Sequence, residues 1–240
     1  MTFVTKPFLP PLDEYASLLK KIWGKSTLTN RGELLQEFEE QLSKITGIKN
    51  VICVANGTLA LQVAIKVLEL KNEVITSPFS FVATSSSIIW ENCSPVYADI
   101  DQRTLNIDPN KVEEKINSNT TAILATHVFS NPCDVIKLKK ISDKHNLKLI
   151  YDGAHAFGVK HKGQSIFSFG DLSTVSFHAT KSLNTAEGGA IFTNNAELAK
   201  KVRLAINFGY ENYKIVQLGI NAKMNEFNAA LGILNLKYYS

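Results

Sequence analysis

The 240-residue chain is 45% hydrophobic and 20% charged, an ordinary composition for a soluble α/β protein that buries one full core in one large domain. Its 26 Lys and Arg against 22 Asp and Glu leave a small basic excess, scattered rather than gathered into a run that could track a phosphate backbone, which excludes nucleic acid and favours a small anionic ligand. No apolar run approaches the ~20 residues of a membrane span, residues 1–30 lack a signal-like segment, and Cys53, Cys93 and Cys133 show neither CxxC nor Cys/His spacing, so the expectation is a cytoplasmic protein without disulfides or a metal centre.

In chain order, residues 1–30, with Pro7, Pro10 and Pro11, read as an N-terminal segment, and residues 31–240 as the large domain. From Gly32 to Thr46, Leu34, Leu35, Phe38, Leu42 and Ile45 recur at helical spacing, and Gly47 closes the pattern. Short apolar runs follow at Val51–Val54, Val74–Thr76, Pro95–Ala98, Ala122–Thr126, Leu147–Tyr151, Thr174–Phe177 and Ala190–Thr193. They alternate with helical stretches such as Leu59–Leu70, Val135–Lys144 and Ala196–Asn207. That alternation predicts an α/β fold with a mainly parallel, doubly wound sheet, and such sheets bind ligands in the loops after their strands.

Four of those loops stand out. Asn56-Gly57-Thr58 opens a helix and leaves backbone N–H groups suited to a phosphate, although taken alone such a turn is more often a plain helix cap. Pro78-Phe-Ser-Phe-Val-Ala-Thr84 carries Phe79 and Phe81, either core residues or a face on which a flat ring can stack. Asp152, in Tyr151-Asp-Gly-Ala-His-Ala-Phe157, could cap the next element, bind a metal with His155, or pair with a ring nitrogen; no further ligand-type residue lies close by, and a ring nitrogen needs only one carboxylate. Ser176-Phe-His-Ala-Thr-Lys181 ends a strand in a polar turn just before Glu187-Gly188-Gly189. Most lysines are solvated surface charges, but a desolvated one at a strand end can form an imine and shuttle protons at the neighbouring carbon. Ser176 and His178 are either structural or donors to a phosphate or substrate. Together the four loops supply a phosphate cradle, a stacking face, a ring-nitrogen acid and an imine-forming lysine, the requirements of pyridoxal phosphate.

With these pieces in this order, and with Ala-Asp-Ile-Asp at 98–101 and Gly219-Ile-Asn-Ala-Lys-Met-Asn-Glu-Phe-Asn-Ala-Ala230, the sequence resembles the DegT/StrS family of sugar-nucleotide aminotransferases, which have the fold-type-I architecture. The resemblance runs over nearly the whole chain. It implies that Lys181 carries pyridoxal 5'-phosphate as a Schiff base and acts as general base, that Asp152 pairs with the pyridinium, and that Phe81 stacks on the ring. It further implies that Gly57, Thr58 and Ser176 hold the phosphate, and that His155 contacts the ring hydroxyl where the family often has Gln. Asn221 would reach a neighbouring subunit's site, making a homodimer with shared sites, and Asn30 and His178 are candidate substrate contacts. The form of the lysine motif looks most like enzymes that aminate dTDP-linked 4-keto-6-deoxy sugars with L-glutamate, for surface polysaccharide or O-antigen sugars. Two other readings compete: a pyridoxamine-phosphate-dependent dehydratase, which would lack the lysine, and an inactive or non-catalytic fragment. The second arises because the chain stops at Lys237-Tyr-Tyr-Ser240, before the small C-terminal domain that family members carry.

Overall fold

The computed structural model describes residues 5–239. Helices α1 (Leu12–Lys25) and α2 (Glu33–Thr46) lead into β1 (Asn50–Val54), α3 (Gly57–Val67), β2 (Glu73–Thr76), α4 (Val82–Trp90), β3 (Ser94–Tyr97), α5 (Pro109–Lys115) and β4 (Thr120–Thr126). Then come α6 (Val135–Lys144), β5 (Lys148–Asp152), a small hairpin of β6 (Lys160–His161) and β7 (Gln164–Ser165), β8 (Leu172–Ser176) and β9 (Gly189–Thr193). The chain continues through α7 (Ala196–Ala205), a second hairpin of β10 (Tyr210–Glu211) and β11 (Lys214–Ile215), and α8 (Glu226–Lys237).

Seven strands form one sheet in the order β1-β9-β8-β5-β4-β2-β3. From β8 to β3 every pairing is parallel, and only β9 runs against its neighbours β1 and β8. The expected mainly parallel mixed sheet, flanked by helices, is the fold. Alternation along β1 shows why its apolar run is continuous: Val51 and Cys53 join a cluster with Phe38, Leu42, Leu138 and Ile233, whereas Ile52 and Val54 join one with Ala60, Ile65 and Val202 on the opposite face. A strand covered on both sides leaves no polar face to display.

Differences from the sequence expectation lie at the helices. The helix expected from Leu59 starts at Gly57, because the Asn56 side chain accepts from the Leu59 N–H at 2.8 Å, and it ends at Val67, just before Glu69 turns left-handed at φ +56°. The stretch read as Ala196–Asn207 stops at Ala205. Helix α4 gave no signal: three consecutive serines and no charged face make Val82–Trp90 read as loop. Helix α1 lies within the segment taken as an N-terminal lead, and packs on α8 through Ile22 and a 3.1 Å hydrogen bond from Tyr15 Oη to the Phe227 carbonyl. Among the described residues no helix is long and apolar enough to cross a membrane.

Helix α2 lacks a side-chain cap of its own. The buried Glu226 carboxylate, at the start of α8, accepts from the Leu34 and Leu35 N–H groups at 2.9 and 3.2 Å. A Cβ at Gly32 would lie 2.6 Å from that carboxylate, so the capping geometry requires glycine. Glu226→Ala strands two buried donors and should cost about 2 kcal/mol or more, whereas Glu226→Gln, which keeps one acceptor, should lose less; urea denaturation of both variants checks the order.

Candidate active site

A cleft of about 690 Å³ opens where the carboxyl ends of β1, β4, β5 and β8 meet. Its walls include eight residues singled out in the sequence: Gly57, Thr58, Phe81, Asp152, His155, Ser176, His178 and Lys181. Asn30 and Asn221 lie outside it. Asn30 is exposed in a left-handed turn at φ +61°, and Asn221 is exposed in a segment bridged to Asn207.

One end of the cleft is the N-terminus of α3. Asn56 caps the Leu59 N–H, leaving the Gly57 and Thr58 N–H groups to face the cleft at the positive end of the helix dipole. A Cβ at Gly57 would come within 2.9 Å of the Ser176 Cβ, so the end of β8 presses directly onto this turn and brings the Ser176 hydroxyl beside it. The cap reading of the Asn56-Gly57-Thr58 turn holds for Asn56, and Gly57 and Thr58 beside it line the cleft, where an anion could meet the start of the helix.

Asp152, at the end of β5, is 5% exposed. One carboxylate oxygen accepts from the Thr84 hydroxyl at 2.8 Å and the other from the Ala154 N–H at 3.0 Å. Thr84 belongs to α4, and its oxygen lies 2.7 Å from Ser80 Oγ, which lies 3.1 Å from Thr126 Oγ1. Because a carboxylate only accepts, Thr84 donates toward Asp152 and must itself accept from Ser80, which gives the chain of hydroxyls one direction. Thr84, Ser80 and Thr126 were not marked in the sequence, since hydroxyl residues at strand and helix ends carry no distinguishing pattern.

Lys181 lines the same cleft as this carboxylate. Desolvation lowers its pKa below the ordinary 10.5, and Asp152 opposes that shift. His155 is lowered from 6.5 by desolvation and by the charge of Lys181, again against Asp152. The His178 Nδ1 accepts from the Thr180 N–H at 3.3 Å, which puts a ring proton on Nε2, 3.7 Å from the Glu187 carboxylate. Phe81 exposes 77% of its surface at the mouth, and Phe79, a possible core residue, stands edge-on to Phe129, partly exposed. Among the described residues, no cluster of three metal-ligating side chains includes Asp152 and His155. An anion cradle, an exposed aromatic face, a buried carboxylate and an amine of lowered pKa fit the phosphate, ring, ring nitrogen and aldehyde of pyridoxal phosphate.

Behind Asp152, His127 is stacked on Tyr151 with ring centroids 4.8 Å apart, and its backbone N–H donates to the Asp152 carbonyl at 2.9 Å. Its Nδ1 accepts from the Cys133 N–H at 3.1 Å, and burial pushes its pKa down from 6.5 to about 3. A neutral ring thus packs behind the strand end that carries Asp152.

Comparison with known proteins gives a consistent picture. Residues 13–240 match the DegT/DnrJ/EryC1/StrS aminotransferase family. The chain is 46% identical over 237 residues to a dTDP-4-amino-4,6-dideoxy-D-glucose transaminase of Shigella dysenteriae, covering 98% of this chain and 65% of that protein. It is 42% identical to the transaminase of the same name from Escherichia coli, covering 98% and 64%. Among solved structures, DesI in the presence of its TDP-sugar product superposes with a TM-score of 0.95 at 35% identity, over 99% of this chain and 61% of that one. The chain thus spans a little under two thirds of the length of these relatives.

Two outcomes are expected. Gly57→Ala, which pushes Ser176 out of the cradle, should weaken pyridoxal phosphate binding at least ~10-fold by titration while leaving the circular dichroism spectrum unchanged. For His127 the folded pKa lies below the unfolded one, so the unfolded chain binds more protons between pH 3 and 6.5 and stability falls as pH drops through that window. Urea midpoints measured from about pH 4 to 7 should show this slope, and His127→Gln should flatten it.

Proposed function

The chain belongs to the DegT/DnrJ/EryC1/StrS aminotransferase family, and we propose that it serves the transfer of an amino group from L-glutamate to the keto carbon of a dTDP-linked 4-keto-6-deoxy sugar, with pyridoxal phosphate as cofactor. The observation that carries this reading is the convergence of Lys181 and Asp152 on a cleft floored by the N-terminus of α3. The dTDP-sugar substrate is supported by the two dTDP-4-amino-4,6-dideoxy-D-glucose transaminases to which the chain is 46% and 42% identical over almost its whole length. A place in the synthesis of surface polysaccharide sugars, in the cytosol, follows the same line; the free and buried Cys53, Cys93 and Cys133 suit a reducing compartment.

Bound pyridoxal phosphate supplies an electron sink that stabilises negative charge on the carbon losing its proton. Its phosphate would be held by the Gly57 and Thr58 N–H groups and the Ser176 hydroxyl, its ring would be covered by Phe81 with His155 at the ring hydroxyl, and Lys181 would hold its aldehyde carbon. Asp152, fixed from two sides by Thr84 and Ala154, keeps a proton on the ring nitrogen. As a free amine, Lys181 would act as the base that moves the proton at the amino donor's α-carbon. Its lowered pKa leaves more of the amine neutral, and so able to act as a base, near neutral pH than an ordinary lysine would have. His178 and Asn30 are assigned to the sugar nucleotide. Asn221 is assigned to the cleft of a second copy, a role supported by its position outside this cleft, beside a segment that exposes Tyr213, Ile215 and Leu218.

Purified protein incubated with pyridoxal phosphate should develop a visible absorption band that Lys181→Ala abolishes, and glutamate-dependent amination of dTDP-4-keto-6-deoxyglucose should fall at least ~10³-fold in that variant. Turnover retained without Lys181 overturns the assignment of the base. Equal turnover with a GDP-linked keto sugar overturns the assignment of the nucleotide.

A further inference from the structure

The motif Met224-Asn-Glu-Phe-Asn228 opens α8, and three of its side chains work at different places. Asn225 caps α8 by accepting from the Asn228 N–H at 2.9 Å, and Glu226 caps α2. The Asn228 carboxamide reaches across to the loop between β8 and β9, where its Nδ2 donates to the Thr185 carbonyl at 2.6 Å and to the Glu187 carbonyl at 2.8 Å.

That loop is the one that carries Lys181. Its ends are pinned together where the Phe177 N–H donates to the Gly188 carbonyl and the Thr185 N–H to the Phe177 carbonyl, at 2.8 and 2.9 Å. Between the two carbonyls held by Asn228 sits Ala186, at φ +63°, a left-handed conformation that is unfavourable for an alanine. Thr185 is fully buried, with its hydroxyl donating to the Glu187 carbonyl at 2.7 Å, and a Cβ at Gly188 would meet that hydroxyl at 2.1 Å and Met224 at 2.6 Å. Asn235, two turns further along α8, donates to the Asn184 carbonyl at 2.7 Å. The far limb of the lysine loop is therefore built against α8, in a backbone conformation it would not hold alone.

We propose that Asn228 is a positioning residue for the reaction: its two hydrogen bonds lock the 184–187 turn and thereby set where Lys181 and Glu187 stand in the cleft. The inference deepens the proposed function, since the position of the amine matters only if Lys181 does the chemistry. No side chain of α8 is needed at the reacting atoms for this role. The ionisable groups around Lys181 are Asp152, His155, His178 and Glu187, and replacing Asn228 removes none of them, so a changed titration of Lys181 reports changed positions.

Competitive acetylation followed by peptide mass spectrometry reads the reactivity of the Lys181 amine as a function of pH without any cofactor. Asn228→Leu keeps the size and removes both donors; Asn228→Gln keeps the carboxamide. In Asn228→Leu the released loop should solvate Lys181, raise the midpoint of its titration and lower its reactivity at neutral pH roughly three-fold or more, while amides of the 185–188 turn exchange faster and those of α8 do not. Asn228→Gln should restore much of both. Lys181 reactivity unchanged in Asn228→Leu, with or without a drop in melting temperature, overturns the proposal and leaves Asn228 a structural residue. In parallel, pyridoxal phosphate is added to the wild-type protein. A missing visible band there counts against the proposed function, while the acetylation comparison still decides whether Asn228 positions the amine.

Discussion

Asp152 is a carboxylate removed almost wholly from water, and the cleft is arranged to make that tolerable. Burying such a group without partners is prohibitive, so it must be met by donors of fixed geometry. Here the donors come from two elements: the Ala154 N–H just beyond β5 and the Thr84 hydroxyl from α4. The second draws Ser80 and Thr126 into one oriented chain, which ties the loop after β2 and the end of β4 to the same carboxylate. Lys181 then feels two opposed influences, desolvation lowering its pKa and Asp152 raising it, and the balance leaves an amine below the ordinary lysine range. Without the desolvation the amine would be an ordinary surface charge.

The sheet explains why these groups meet. Four parallel pairings bring the carboxyl ends of β8, β5, β4, β2 and β3 to one rim, and the single antiparallel strand, β9, sends the chain back from that rim. The reversal makes the β8–β9 connection a closed loop at the cleft, so Lys181 is held at both ends by the same pair of strands. On the other side of Ser176, the close approach to Gly57 joins that loop to the anion cradle. A crossover helix in place of the reversal would carry the chain away from the rim immediately after Ser176.

How much of this could be read from the sequence follows from which interactions are local. The strands showed themselves because both faces of the sheet are covered, so that runs such as Val51–Val54 are apolar without interruption. Gly57, Asp152, Ser176 and Lys181 stood out because each lies at the end of such a run or just after it, where a parallel sheet gathers its ligands. Helix α4 did not show, because a helix that faces the core with serines and isoleucines and carries no charge has no amphipathic signature. Thr84, Ser80 and Thr126 were missed for a related reason: each is an unremarkable hydroxyl in its own segment, and only the folded chain reveals that they form a line ending at Asp152. The Asn56 turn was ambiguous in sequence because capping and anion binding use the same residue types, and the structure gives the two tasks to adjacent residues.

The contribution of α8 is the least local of all. Glu226 closes α2 from 192 positions away, and Asn228 holds Thr185 from 43 positions away, so neither has a neighbour in sequence that would suggest its task. Both act through backbone groups, accepting from N–H in one case and donating to C=O in the other, which means the identities of the residues they hold are nearly irrelevant. What matters is the path of the backbone: glycine at 32 so that the carboxylate can approach, and a left-handed Ala186 so that two carbonyls point the same way. A helix that packs on α2 and α1, with apolar residues such as Ala229, Ala230 and Ile233 in the core, can thus fix a polar site with the few side chains on its first turn. The position of Lys181 is in this sense a property of how α8 docks, as much as of the strand end from which the lysine loop emerges.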